Sequence, residues 1–300
     1  MCGRNSASWA ISFFSIISYG AIVVPILHEF KPQAVEHLIF HSDSKMLIVG
    51  DMVWEGLNEE DLKGVDAVIQ MQDYKLVYCQ DEQIRQAYDK LEDSFKTKYA
   101  KGFQKKDVRY MRENPNDLAV INYTSGTTSL SKGVMLPYKA LLGNYHFAMN
   151  TMPEITQESN TISMLPMAHM YSLSFELIFE FFQGAHIHLL TRVPSPKIVA
   201  EAFTLIKPEL IISVPLIIEK IYKTKLKPIL DKRLVKILLS TPIIDKVFLT
   251  RIQTTLNEAF GGRFIEVIVG GAAMNQEVEA FFKKINFRYT IGYGMTECAP

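Results

Sequence analysis

Short apolar runs recur along this chain with longer, helically patterned stretches between them, and that alternation restricts the fold more than any other feature. Residues 45–49, 67–71, 118–123, 161–165, 186–190, 210–214 and 264–269 are rich in Ile, Val and Leu. Their apolar positions are consecutive rather than alternating, as strands buried on both faces require. Residues 196–206, 216–230 and 276–285 read as helices. Asn275 sits at an N-cap position, and Gly261-Gly262 follows a helical stretch as a stop signal. Strand and helix in turn predict an α/β architecture built on a largely parallel sheet.

The most polar stretch, residues 81–116, predicts a surface helix and a linker joining a subdomain of residues 1–80 to one of residues 117–300. Across the 300 residues, Lys plus Arg and Asp plus Glu both number 32, so no basic footprint speaks for a nucleic-acid partner. Cys2, Cys79 and Cys298 are odd in number and far apart. That pattern is neither a disulfide framework nor a metal-ligand spacing, and it fits a reducing cytoplasm. Residues 9–27 carry no charge and are long enough for a membrane span. They read instead as a helix capped by Asn5 or Ser6 and broken at Gly20, followed by a strand at 21–24 that Pro25 ends. On that reading, membrane contact is at most peripheral.

The strongest local signal is Thr124-Ser125-Gly126-Thr127-Thr128-Ser129-Leu130-Ser131-Lys132-Gly133. Small hydroxyl residues and glycine follow an apolar strand and end at a single lysine. Backbone N–H groups and hydroxyls in such a loop cradle phosphate oxygens, and the lysine adds a positive charge. It is not a Walker P-loop: counted from Gly126, Ser131 and Gly133 stand where that pattern needs Gly and Ser or Thr.

The stretch resembles the phosphate-binding motif of the adenylate-forming superfamily, TSGTTG, any residue, then PKG, with Ser129 for the usual Gly and Ser131 for the usual Pro. Further stretches match in order. Leu165-Pro166-Met167-Ala168-His169-Met170-Tyr171 and Val214-Pro215-Leu216-Ile217-Ile218-Glu219-Lys220-Ile221-Tyr222 are similar to segments of the long-chain acyl-CoA synthetase branch. Gly270-Gly271-Ala272-Ala273-Met274 resembles the GGA segment, and Ile291-Gly292-Tyr293-Gly294-Met295-Thr296-Glu297 the GYGxTE motif. The resemblance covers essentially the whole chain. It implies the large domain of the adenylate-forming fold, with stacked, largely parallel sheets sandwiched by helices, incomplete at both ends.

It also implies roles. Thr124, Ser125, Gly126, Thr127, Thr128 and Lys132 would hold the phosphates of ATP, and Thr124 and Glu297 would bind Mg²⁺. Tyr293, followed by Gly294, would stack on adenine, and Thr296 would meet the α-phosphate. Gly270, Gly271, Ala272 and Gly292 would wall the nucleotide from the acyl group. His169 would stand at the mouth of the acyl pocket, as a gate or as a structural residue. Lys132, Thr296 and His169 are the catalytic candidates. The implied activity is that of a long-chain fatty acid:CoA ligase, joining a fatty acid to coenzyme A through an acyl-adenylate. The alternatives are a medium-chain, aryl or amino-acid adenylating enzyme, or a non-catalytic nucleotide- or lipid-binding fragment. In the family a ribose-binding aspartate and a lid with a catalytic lysine follow the GYGxTE motif. This chain stops three residues after Glu297, so the expectation is a truncated chain that makes no acyl-CoA alone.

Overall fold

The computed structural model describes residues 1–109, 114–124, 132–233, 235 and 244–300, and the chain divides into two compact units, Met1–Leu141 and Leu142–Pro300. In the first, β1 (Met46–Val49) pairs parallel with β2 (Ala67–Gln70), which pairs antiparallel with β3 (Leu76–Cys79). The helix Pro32–His41 lays Val35, Leu38 and Ile39 against Leu47, Val49 and Val68 of this sheet. A separate antiparallel pair joins β4 (Leu118–Thr124) to β5 (Lys132–Pro137), with Thr124 opposite Lys132.

The N-terminal apolar run is a helix over Ala7–Tyr19. Ser6 caps it by accepting a hydrogen bond from the Trp9 amide at 3.0 Å, and Gly20 ends it at φ 84°. Among the described residues no helix is long and apolar enough to cross a membrane. The strand expected at residues 21–24 reduces to a bridge at Val23, which exchanges backbone bonds with Ala119 and Ile121. Pro25 has no N–H to continue the ladder. Where the polar stretch predicts one surface helix there are two, Glu82–Asp89 and Leu91–Lys98, both without buried residues.

The second unit is built on five strands: β6 (Asn160–Ser163), β7 (His186–Leu189), β8 (Leu210–Ser213), β9 (Glu266–Val269) and β10 (Thr290–Ile291). They lie in the order β10-β9-β8-β6-β7, every neighbouring pair parallel. Helices Pro196–Ile206, Pro215–Ile221, Ile244–Ala259 and Gln276–Lys284 flank the sheet. All four residues of β8 are buried, as expected of a central strand whose Leu210, Ile211 and Ile212 are consecutive apolar residues. Phe203 and Phe260 stack with ring centroids 5.4 Å apart, and with Phe282 they fill the core beside the sheet.

Candidate active site

Because these five strands are parallel, the chain leaves every one of them at the same edge of the sheet. Residues 164–169 follow β6, Val214 and Pro215 follow β8, residues 270–273 follow β9, and residues 292–294 follow β10. After β7 the chain crosses to the far side of β6, so the direction of winding reverses between β6 and β8. Crevices open at the carboxyl ends of strands at such a switch point. The sequence-predicted His169, Gly270, Gly271, Ala272 and Gly292 all stand along this edge.

Local packing explains why small residues follow β9. Gly271 adopts φ +85°, a left-handed conformation that side chains resist, and a Cβ on Gly270 would lie 2.9 Å from the Tyr171 ring. The Tyr171 hydroxyl donates to the Ile268 carbonyl at 3.3 Å, which holds the ring in that place. At its far end the segment is tied by Asn275, whose amide donates to Glu219 at 2.8 Å and whose side chain caps the helix Gln276–Lys284. The Gly292 amide donates to the Val269 carbonyl at 2.9 Å, so the two glycine turns start side by side.

Gly270→Ala is therefore expected to destabilise the protein by about 1–3 kcal/mol through overpacking against Tyr171. Thermal melts of Gly270→Ala, Tyr171→Ala and the double variant test this. The double variant should be more stable than the two single losses add up to, and strict additivity would show that the two residues do not compete for space.

His169 caps the helical segment that begins at Met170 by accepting the Tyr171 amide on Nδ1 at 3.3 Å. That bond assigns the neutral tautomer with hydrogen on Nε2. The residue reaches solvent, yet enough protein surrounds the imidazole to push its pKa below the usual histidine value by desolvation.

The segment starting at Met170 is α-helical over Met170–Ser172, π-helical over Leu173–Phe179 and α-helical again over Glu180–Gln183. It buries two carboxyls that the sequence reading missed. Glu176 accepts the Met164 and Leu165 amides at 3.2 and 3.1 Å and the Ser163 hydroxyl at 3.3 Å, and lies 2.5 Å from the Ser172 hydroxyl. Glu180 accepts the Thr161 hydroxyl at 2.7 Å on one oxygen, while its other oxygen, Oε1, is buried without a partner. Burial pushes the Glu176 carboxyl up to about 8 against those hydrogen bonds, and raises Glu180 well above the usual carboxylate range. A legible signal existed: two acidic residues four apart inside the apolar run Leu173-Ser174-Phe175-Glu176-Leu177-Ile178-Phe179-Glu180-Phe181-Phe182, facing Thr161 and Ser163, which alternate onto one face of β6.

The remaining predicted residues are distributed as follows. Thr124, half-buried, ends β4 and Lys132, exposed, starts β5, both in the first unit. Ser125, Gly126, Thr127, Thr128, Ser129 and Ser131 lie outside the described residues. In the second unit Tyr293 is 94% exposed, leaving its ring face open, which a core aromatic could not do. Thr296 and the exposed Glu297 sit in a short 3₁₀ turn, Thr296–Cys298. Ser174 of the π-helical segment donates to the Ala299 carbonyl at 3.2 Å and so pins the end of that turn. Among the described residues no cluster of three or more His, Cys, Asp or Glu is arranged to hold a metal ion.

A glycine-lined carboxyl edge, a helix-capping histidine and an exposed tyrosine stand in the second unit, and the model of the AMP-binding enzyme family matches residues 1–300. The chain belongs to the AMP-binding enzyme family. Its curated relatives include long-chain-fatty-acid--CoA ligase 5 of Rattus norvegicus, 26% identical over 98% of this chain and 45% of the relative. Long-chain-fatty-acid--CoA ligase 3 of Saccharomyces cerevisiae is 25% identical over 98% of this chain and 46% of its own length. The chain thus spans about half the length of the curated relatives it matches. Among solved structures, a long-chain-fatty-acid-CoA ligase from Archaeoglobus fulgidus superposes with a TM-score of 0.68 at 18% identity, covering 100% of this chain and 52% of that one. The anthranilate CoA ligase AuaEII in complex with anthranoyl-AMP gives 0.71 at 17% identity, covering 99% and 50%. These likenesses establish the large-domain fold of adenylate-forming enzymes for this AMP-binding chain.

Proposed function

We propose that the protein carrying this sequence is an acid:CoA ligase that activates a long-chain fatty acid with ATP. The observation supporting the reading is the carboxyl edge of the parallel sheet, where the turns bearing His169, Gly270, Gly271 and Gly292 converge. The long-chain-fatty-acid ligases among its curated relatives support the choice of acid.

In this reading a carboxylate oxygen attacks the α-phosphorus of ATP, the bond to pyrophosphate breaks, and the thiol of coenzyme A then displaces AMP from the acyl carbon. The chain's task is positioning and charge neutralisation rather than proton transfer. Lys132 offsets phosphate charge, Tyr293 offers adenine a stacking face, and Thr296 meets the α-phosphate. Ser125, Gly126, Thr127 and Thr128 line the phosphates. Gly270, Gly271, Ala272 and Gly292 let the ligand approach the backbone, with Gly294 keeping the turn after Tyr293 small. His169, uncharged, closes the acyl end without holding a competing cation against the substrate. Thr124 and Glu297 are the proposed Mg²⁺ ligands. Their hard oxygens suit an ion whose other ligands are phosphates and water, and the metal supplies charge that offsets the triphosphate.

The test is carboxylate-dependent pyrophosphate release by the full-length protein across palmitate, oleate, octanoate, acetate, benzoate, anthranilate and amino acids. The long-chain acids should turn over fastest. Faster turnover of acetate, an aryl acid or an amino acid would overturn the substrate while leaving adenylation in place, and no release with any acid would overturn both.

A further inference from the structure

The helical segment Met170–Gln183 has no ligand-contacting role in the proposed function, yet among the described residues it carries the most heavily hydrogen-bonded buried carboxyl of the second unit. Glu176 stands under the turn that leaves β6. Its two oxygens take the amides of Met164 and Leu165, the first two residues of that turn, at 3.2 and 3.1 Å. From there the chain passes through Pro166, Met167 and Ala168 to His169, which is tied in turn to the Tyr171 amide. The ring of Tyr171 lies against Gly270. We infer that Glu176 is a positioning residue for the acyl end of the site: it sets the backbone of the turn at residues 164–169 and, through it, the places of His169 and Tyr171. The inference rests on the reading that this edge receives the carboxylic acid.

The hydrogen arithmetic around Ser172 adds the form in which Glu176 works. Ser172 has one hydroxyl hydrogen but two acceptors in reach, the Leu165 carbonyl at 3.1 Å and Glu176 at 2.5 Å. Both contacts are satisfied together when Glu176 is protonated and its O–H donates to Ser172, leaving the Ser172 hydrogen for Leu165. The buried carboxyl's raised pKa, about 8, agrees with that form near neutral pH. The titratable groups coupled to it are Glu180 and Tyr171 on its own segment. From β6 it faces Ser163, and beyond it the Thr161 that binds Glu180, neither of which titrates in this range. Ser174, on the same segment, accepts from the Asn144 side chain at 3.4 Å and donates to the Ala299 carbonyl at 3.2 Å. Ionisation of Glu176 would claim the Ser172 hydrogen, release the Leu165 carbonyl and loosen the turn.

Two readouts test this in the full-length protein with Glu176→Gln and Glu176→Ala. The first is amide hydrogen exchange at Met164 and Leu165, which needs no turnover. The Met164 amide, which meets Oε1, should be protected in wild type and in Glu176→Gln, whose side-chain oxygen takes that place while its NH2 donates to Ser172. It should exchange at least tenfold faster in Glu176→Ala, as should the Leu165 amide, whose acceptor Oε2 neither variant keeps. The second is pyrophosphate release. Glu176→Ala should raise KM for the carboxylic acid by roughly tenfold or more with KM for ATP little changed. Wild-type activity should fall above about pH 8, and Glu176→Gln should hold its activity there. Unchanged protection in Glu176→Ala would overturn the inference, as would equal rises in both KM values. If Glu176→Gln behaved like Glu176→Ala in both readouts, the protonated-carboxyl arrangement would be wrong. Normal exchange behaviour with no carboxylate-dependent release by wild type would sink the proposed function and leave the positioning of the turn standing.

Discussion

Lys132→Ala should slow carboxylate-dependent pyrophosphate release roughly ten- to a hundredfold in the full-length protein while leaving its stability nearly unchanged. A charge-assisted contact to phosphate is worth about 1.5–3 kcal/mol, which converts to that range of rates. The lysine is exposed at the start of β5, and truncating an exposed side chain away from packed features shifts stability by only about 0.5 kcal/mol. The backbone pairing of Lys132 with Thr124 does not depend on the side chain. Measuring initial rates and melting temperature on the same preparation separates the two effects. Lys132→Arg should recover part of the rate, since it restores charge with a different donor geometry. Wild-type rates in the alanine variant would remove Lys132 from the phosphate site.

The second large effect concerns pH and stability. Glu176 and Glu180 are held protonated by burial, whereas in the unfolded chain a glutamate ionises near 4.5. Between that value and the folded-state value, about 8 for Glu176, the unfolded chain binds fewer protons than the native one. Stability therefore falls as pH rises through this window. At ~1.4 kcal/mol for each unit, the loss attributable to Glu176 amounts to at most about 4 kcal/mol between pH 5 and 8. Urea denaturation at pH 5, 6, 7 and 8 measures it. The Glu176→Gln/Glu180→Gln variant should show a flatter profile and should gain stability over wild type at pH 8 but little at pH 5. Parallel profiles for the two proteins would mean that both carboxyls ionise freely in the native state.

Much of the architecture can be read from the residues because the strands of a buried parallel sheet advertise themselves. Leu210–Ser213 and Glu266–Val269 fall inside runs of consecutive Ile and Val, and Ser6, Gly20 and Asn275 mark helix ends by chemistry that needs no tertiary context. The strands that escaped notice lack that signature. β3 pairs antiparallel and is only partly buried, and β10 is two exposed residues held by pairing with β9. The π-helical segments Leu173–Phe179 and Tyr222–Leu226 look like ordinary helix in sequence because the extra residue per turn leaves no compositional mark. Sequence motifs pointed to His169, Gly270 and Tyr293 and passed over Glu176, whose only mark is an acidic pair inside an apolar run, a burial signal that belongs to no motif.

The strand order of the second unit also has a consequence for how the chain acquires its shape as it is made. β6 emerges first, β7 joins one side of it, β8 joins the other, β9 adds to β8, and β10 adds to β9. Each strand docks on an edge already laid down, and none has to wedge between two earlier neighbours. The sheet can therefore grow outward as the ribosome delivers it, at the 5–20 or so residues per second of synthesis, with each βαβ crossover closing locally before the next begins. Parallel pairing is slow to form from a complete unfolded chain because its loops must close first. Synthesis from one end relieves that delay, so refolding from denaturant should lag well behind folding on the ribosome.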